Sequence, residues 1–250
     1  MTKLLLHVCC GPCATATLDW LRAEVTQDIT GLFYNPNIHP EAEYLRRRAG
    51  MEQVSGVLEV PLRCLGEEDG LVDYLQQVAF REAERCRVCY AMRLAQTAQQ
   101  AAADNFEVFS TTLLISPYQN LEEIRKIGEA LSKLWGPDFL FQDLRPYYPA
   151  SRQKARELGL YQQKYCGCIF SELERINKKS RGRESGACPE RPEGAGPERR
   201  RGEPNGSRVE GRTPPENNFA DLPKSQARPF TLPGLDAEAT AELFARLKND

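Results

Sequence analysis

The stretch that most constrains the fold is Leu4-Leu5-Leu6-His7-Val8-Cys9-Cys10-Gly11-Pro12-Cys13. An apolar run of strand length stops abruptly in three cysteines, and Thr15 to Leu21 then reads as the start of a helix. A nearly continuous apolar run fits a strand covered on both faces, as in the interior of a parallel sheet. The cysteines therefore fall on a strand-to-helix turn, where α/β domains place binding and chemistry. Two further pairs follow, Cys86-Arg-Val-Cys89 and Cys166-Gly-Cys168. The expectation is that the three groups meet in space around a redox metal centre.

The rest of the chain alternates strand and helix patterns. Strands are expected over 3–8, 29–34, 57–61, 106–114 and 138–143. Helices are expected over 14–24, 41–51, 71–79, 88–103, 121–134, 151–158 and 170–178. Leu121, Ile124, Ile127 and Leu131 recur at helical spacing, and Asn35-Pro36-Asn37 is strong turn chemistry. This alternation implies an α/β fold: a doubly wound, mostly parallel sheet with helices on both faces. After about Lys179 the composition shifts to Pro, Gly, Arg and Glu, which cannot bury enough surface to offset chain entropy. The expected organisation is a catalytic domain over 1–179 and a low-complexity, disordered C-terminal tail over 180–250. Within that tail only 235–247 reads as a short, isolated terminal helix.

Nine cysteines in 250 residues is a high count. No apolar run approaches the roughly 20 residues of a membrane span, and Met-Thr-Lys leads straight into a strand without a signal-peptide pattern. The expected location is cytoplasmic, with no membrane partner. In a reducing compartment, clustered cysteines point to ligands or catalytic thiols more than to structural disulfides. The formal net charge of −2 gives no bulk attraction to polyanions, so a nucleic-acid partner would need a local basic face.

Thiolates are soft ligands suited to zinc and iron–sulfur clusters. Cys86-x-x-Cys89 falls at a helix N-terminus, which favours the anionic sulfur. With Cys9 and Cys10 it supplies four thiolates, the complement of a [4Fe–4S] cluster, although four-thiolate zinc uses the same inventory. Cys166-Gly-Cys168 is too tight for the usual chelate; its thiols fit a strained, reducible pair or an edge of the site. Cys13, one turn beyond Cys10, is a further candidate ligand. Cys64 reads as a buried hydrophobe, and Cys188 lies in the tail.

Five ordered motifs together resemble the epoxyqueuosine reductase QueH family, the cobalamin-independent type. They are His7-Val-Cys-Cys-Gly-Pro-Cys13, Phe33-Tyr-Asn-Pro-Asn-Ile-His-Pro40 with Glu43-Tyr44, Arg85-Cys-x-x-Cys89, Thr111-Thr-Leu-Leu-Ile-Ser-Pro-Tyr118 and Tyr165-Cys-Gly-Cys168. The resemblance covers about residues 3–177. It implies a Rossmann-like fold and reduction of epoxyqueuosine at the tRNA wobble position to queuosine. It further implies a [4Fe–4S] cluster on Cys9, Cys10, Cys86 and Cys89, with Cys166 and Cys168 as a redox-active pair. A second, mononuclear iron beside the cluster would draw on the first motif and the 166–168 region, with Cys13 recruited.

The implied partners are a tRNA carrying epoxyqueuosine in its anticodon loop and an electron donor that the sequence does not identify. Exposed loop bases are recognised by stacking and phosphate contacts. The substrate-binding candidates are Tyr34, Asn35, Asn37, His39 and Tyr118, with Arg46, Arg47, Arg48, Arg152 and Lys154 as phosphate contacts. An ATP-dependent tRNA-modifying enzyme would want a glycine-rich phosphate loop where the cysteines stand. A zinc-binding RNA module would hold zinc rather than iron. A thiol–disulfide oxidoreductase would not need Cys9 and Cys10.

Overall fold

A computed structural model describes residues 2–66, 70–184 and 231–249. Strands β1 (Leu4–His7), β2 (Ile29–Phe33), β3 (Leu62–Cys64), β4 (Val108–Thr111) and β5 (Asp138–Phe139) form one sheet. Its order is β3-β2-β1-β4-β5 and each pairing is parallel. The leucine-rich β1 lies at the centre, paired with β2 on one side and β4 on the other. Leu4, Leu5 and Leu6 are fully buried, as a strand covered on both faces requires.

Helices α1 (Gly11–Glu24), α2 (Glu41–Leu58) and α6 (Tyr148–Glu157) pack together with α1 in the middle. Their side chains Ala14, Leu18, Leu21, Met51, Val54 and Ala155 share a core with Leu4, Leu6 and Val8. On the other face α4 (Arg85–Ala103) and α5 (Leu121–Trp135) pack as a pair, and Leu94, Ala98, Ile124 and Ile127 join Leu5 and Phe109. Successive β1 side chains alternate between the two cores because strand side chains alternate between faces. The fold is thus the doubly wound α/β arrangement that the alternating pattern predicts. It is completed by α3 (Gly70–Val78), α7 (Ile169–Glu184) and α8 (Ala237–Asn249).

Close approach at the first turn depends on glycine. A Cβ on Gly11 would sit 2.5 Å from the carbonyl oxygen of Gly50, so α1 reaches α2 backbone to backbone only without one.

The third strand begins later than the apolar run 57–61 suggests. α2 continues through Leu58, with Val54 buried and Val57 facing solvent, and ends where Glu59 turns left-handed at φ 50°. Strand pairing starts at Leu62 instead. β4 is shorter than expected because the Thr111 hydroxyl accepts from the Leu113 amide and turns the chain into a 3-10 helix, Thr112–Ile115. Cys64 lies on edge strand β3 and is half-buried rather than buried.

Residues 185–230, with Cys188, lie outside the described residues. The segment 231–249 is docked rather than isolated: Leu232, Leu243 and Leu247 are buried in the α4–α5 core. The Thr231 amide donates to Gln77 on α3 at 3.2 Å, and Arg87 of α4 lies 5.3 Å from the Phe244 ring centroid. A fully buried leucine is worth about 1.5–3 kcal/mol. A chain lacking residues 231–250 is therefore expected to lose about 3 kcal/mol or more, read as a lower denaturation midpoint; an unchanged midpoint would mean that α8 contributes nothing to the fold.

Candidate metal and redox site

The sheet order reverses between β1 and β4, and the crevice at such a switch point is where α/β sheets bind ligands. Cys9 and Cys10 leave β1 there and Thr112 leaves β4. The Thr112 hydroxyl accepts from the Cys9 amide at 3.1 Å and donates to Cys9 Sγ at 3.4 Å. Gly11-Pro12 then opens α1, Pro12 occupying the helix position where a missing N–H costs nothing. One turn on, Cys13 points back toward the other two.

The three sulfurs lie within 4.8 Å of one another, and all three residues are buried. Among the described residues this is the one group of ligand-type side chains so close. Gln163 donates its amide to Cys10 Sγ at 3.0 Å. Hydrogen bonds from Cys10 and Cys13, and then Thr112, hold the Cys9 thiol well below its ordinary range against the opposing effect of burial. Cys13 lowers the Cys10 thiol, yet Cys9 and burial outweigh it and push Cys10 up to about 12. Cys13 is driven well above its ordinary range by Cys10, Cys9 and burial. Cys9 thus opposes the ionisation of Cys10 and Cys13, and a bound metal would favour the thiolate form of all three.

A second thiol group approaches from α4 and the turn before α7. Cys86 and Cys89 occupy the first two turns of α4; Cys89 is buried and Cys86 exposed. Burial pushes Cys89 up to about 12, with the Arg93 guanidinium opposing it and Cys166, Cys168 and Cys86 adding to it. Cys86 is raised by burial and by Cys166 and Cys168. Cys166 is exposed, Cys168 is buried, and both are free thiols in this structure. Gln119 donates to Cys166 Sγ at 3.4 Å. Cys86 and Cys89 are not among the three sulfurs within 4.8 Å of one another. Arg93 donates to Cys89 Sγ at 2.9 Å, and its charge is favoured by Cys89, Cys166 and Cys9 against the cost of burial.

The 166–168 turn is held from α2. Arg47 Nε donates to Glu43 at 2.8 Å, while its two terminal nitrogens donate to the carbonyls of Cys166 and Tyr165 at 2.8 and 2.9 Å. Tyr161 donates to the other Glu43 oxygen at 2.5 Å, and Tyr165 donates to the His39 carbonyl. Gly167 sits at φ +135°, with the Arg47, Ile38 and Asn37 side chains 3.1–3.3 Å from where a Cβ would be. Only glycine is comfortable there.

The substrate-binding candidates divide by exposure. Tyr34, Asn35 and Asn37 are buried; Asn35 donates to the Val8 carbonyl at 2.9 Å, and neither amide atom of Asn37 has a hydrogen-bond partner among the described residues. His39 is half-buried. Tyr118 is 79 % exposed and meets Tyr148 edge-to-face at 6.3 Å. Among the basic candidates Arg47 is spent internally, as described, and cannot reach a phosphate. Arg46 is exposed, whereas Arg48 pairs with Glu52 and Lys154 with Asp19. His7, fully buried, is pushed down to about 3 by burial and Arg93, so it stays neutral. Its Nδ1 meets the Thr111 hydroxyl at 2.8 Å and its Nε2 the Tyr34 carbonyl at 3.2 Å.

The family model described as epoxyqueuosine reductase QueH matches residues 4–174. This chain belongs to the QueH family. An epoxyqueuosine reductase QueH of Dehalococcoides mccartyi is 39 % identical over 177 residues, covering 70 % of this chain and 96 % of that protein. Proteins of the same name from Thermotoga maritima and Streptococcus pyogenes serotype M1 are 37 % and 35 % identical. They cover 71 % and 68 % of this chain, and 94 % and 70 % of their own lengths. The QueH match takes in Cys9, Cys10, Cys13, Cys86, Cys89, Cys166 and Cys168; α8 lies beyond it. Among the described residues, no helix is long and apolar enough to cross a membrane.

Some residues that touch the site thiols in this QueH chain escape sequence reading. Among them are Thr112, Gln119, Gln163 and Arg93. For Arg93 a signal exists, since it stands four residues after Cys89 and so on the same helical face. Gln119 and Gln163 come from irregular segments, where spacing gives no side-chain direction.

Proposed function

We propose that this chain is an epoxyqueuosine reductase acting on tRNA. It removes the epoxide oxygen of epoxyqueuosine in the anticodon loop and leaves queuosine, a reaction that consumes two electrons and two protons and releases water. The observation that carries the reading is the buried three-thiol group at the sheet's switch point, in a chain of the QueH family. The donor set suits iron and sulfide: the sulfurs are soft, closely grouped and buried, and a buried guanidinium stands ready to balance thiolate charge. Cys9, Cys10, Cys86 and Cys89 would hold a [4Fe–4S] cluster, and Cys13 would be left as a ligand for a second, mononuclear iron. When bound, such a centre supplies single electrons and Lewis acidity toward the epoxide oxygen.

The chain's own groups have separate tasks. Oxidation of Cys166 and Cys168 to a disulfide releases two electrons and two protons, the amounts that epoxide removal consumes. Arg47, through the two carbonyls it holds, keeps that pair at the edge of the site. Tyr118 offers an exposed ring on which a loop base stacks, and Arg46 and Arg152 meet backbone phosphate. An electron donor then returns the pair to dithiol. In an anaerobic assay on epoxyqueuosine-containing tRNA with a chemical reductant, the loaded protein is expected to remove one oxygen atom from the modified nucleoside, as read by mass. A fully loaded protein that leaves that tRNA unchanged contradicts the proposal.

A further inference from the structure

Arg93 lies inside α4, one turn after Cys89, and is only 2 % exposed. Its Nη2 donates to Cys89 Sγ at 2.9 Å and its Nε to the Cys89 carbonyl at 3.1 Å. Among the described residues no carboxylate lies within ion-pair distance of it. An arginine does not shed its proton inside a protein, and burying a guanidinium without an opposing charge is expensive. Burial opposes its charge, and the sulfur it touches is that of Cys89, with the Cys166 and Cys9 thiols near enough to favour the cation as well. The thiolate that Cys89 becomes on binding a metal is the negative charge that this cation answers.

We infer that Arg93 is a positioning residue that orients Cys89 Sγ and supplies the buried positive charge against which the metal-bound thiolates are held. The inference rests on the reading of Cys89 as a ligand. Charge and hydrogen bonds at ligand sulfurs set the potential of such centres. An electron added to the centre makes it more negative, so a neighbouring cation favours the reduced form and raises the potential.

The test uses the full-length protein loaded with iron and sulfide under anaerobic conditions, as wild type, Arg93→Gln and Arg93→Lys. Iron per chain is measured, then the midpoint potential by spectroscopic redox titration. At a fixed solution potential, Arg93→Gln is expected to lower the reduced-to-oxidised ratio about tenfold or more, which is about 59 mV for one electron. Arg93→Lys keeps the charge and is expected to stay within about threefold of wild type. An unshifted Gln variant, or a Lys variant shifted as far as Gln, overturns the role of Arg93. Should the Gln variant hold no iron, the Lys variant decides alone: near-wild-type potential supports the role, a tenfold shift overturns it. Wild-type protein that takes up no iron overturns the assignment of Cys89 as a ligand, and the role of Arg93 with it.

Discussion

Replacing Cys10 by serine is expected to lower epoxyqueuosine reduction by about 100-fold or more and to strip most of the iron; even outer partners of metal ligands cost 10- to 100-fold when lost. The sulfur of Cys10 belongs to the trio within 4.8 Å and accepts from Gln163. A serine hydroxyl is a poor ligand for soft metal, yet it can keep that hydrogen bond, so the fold should survive and the defect should be chemical. The matched control is Cys64→Ser on the half-buried edge strand, which should leave turnover and iron content near wild type. Iron per chain and turnover, measured side by side with a thermal melt, separate the two cases. A Cys10→Ser protein with full iron and full turnover would remove this cysteine from the site.

The second large effect is expected at Arg47, through stability. Arg47 and Glu43 form an ion pair whose side chains are 2 % and 4 % exposed. Removing one partner of a buried pair leaves a lone charge and costs about 3–5 kcal/mol. Arg47→Ala should therefore lower the stability of the fold by about that amount, measured by denaturant titration. It should also release the turn carrying Cys166 and Cys168, because both carbonyl contacts go with it. The double variant Glu43→Leu with Arg47→Met removes both charges and should recover much of the stability, while the turn stays loose and turnover stays low. A single variant as stable as wild type would show that the pair is not holding this corner together.

The general architecture was legible because its signals are local. The leucines of β1, the amphipathic spacing of α5 and the turn chemistry at Asn35-Pro36-Asn37 each point to one conformation, and together they imply the parallel sheet. Element ends were harder to read. Val57 and Leu58 look like strand residues, but α2 carries them on until Glu59 turns left-handed, and only packing decides that. The docking of α8 was also hidden, since a short helix after a polar stretch gives no sign of the groove that receives it.

At the site, cysteine spacing draws attention to the thiols, and the fold adds which of them share the first turn. Adjacent cysteines suggest a set of Cys9 and Cys10 with Cys86 and Cys89, with Cys13 as a further candidate, and the sulfurs of Cys9, Cys10 and Cys13 lie within 4.8 Å of one another. A helical turn starting at Gly11 brings Cys13 back over Cys10, a consequence of helix geometry rather than of residue type. The basic run Arg46-Arg47-Arg48 looked uniform, yet helical rotation sends Arg47 inward to Glu43 and leaves Arg46 outside. Arg47 becomes part of the scaffold of the turn that carries Cys166 and Cys168 in consequence.

The central claim is that thiols from the first turn, from α4 and from the 166–168 turn serve one iron-bearing site. Iron and acid-labile sulfide, counted per chain after anaerobic purification of the full-length protein, address it most directly. The prediction is about four irons and four sulfides, or one further iron if a mononuclear site is also filled, with sharp losses in Cys10→Ser and Cys89→Ser alike. A colourless protein that carries zinc or no metal, and still converts epoxyqueuosine-containing tRNA at full rate, would contradict it.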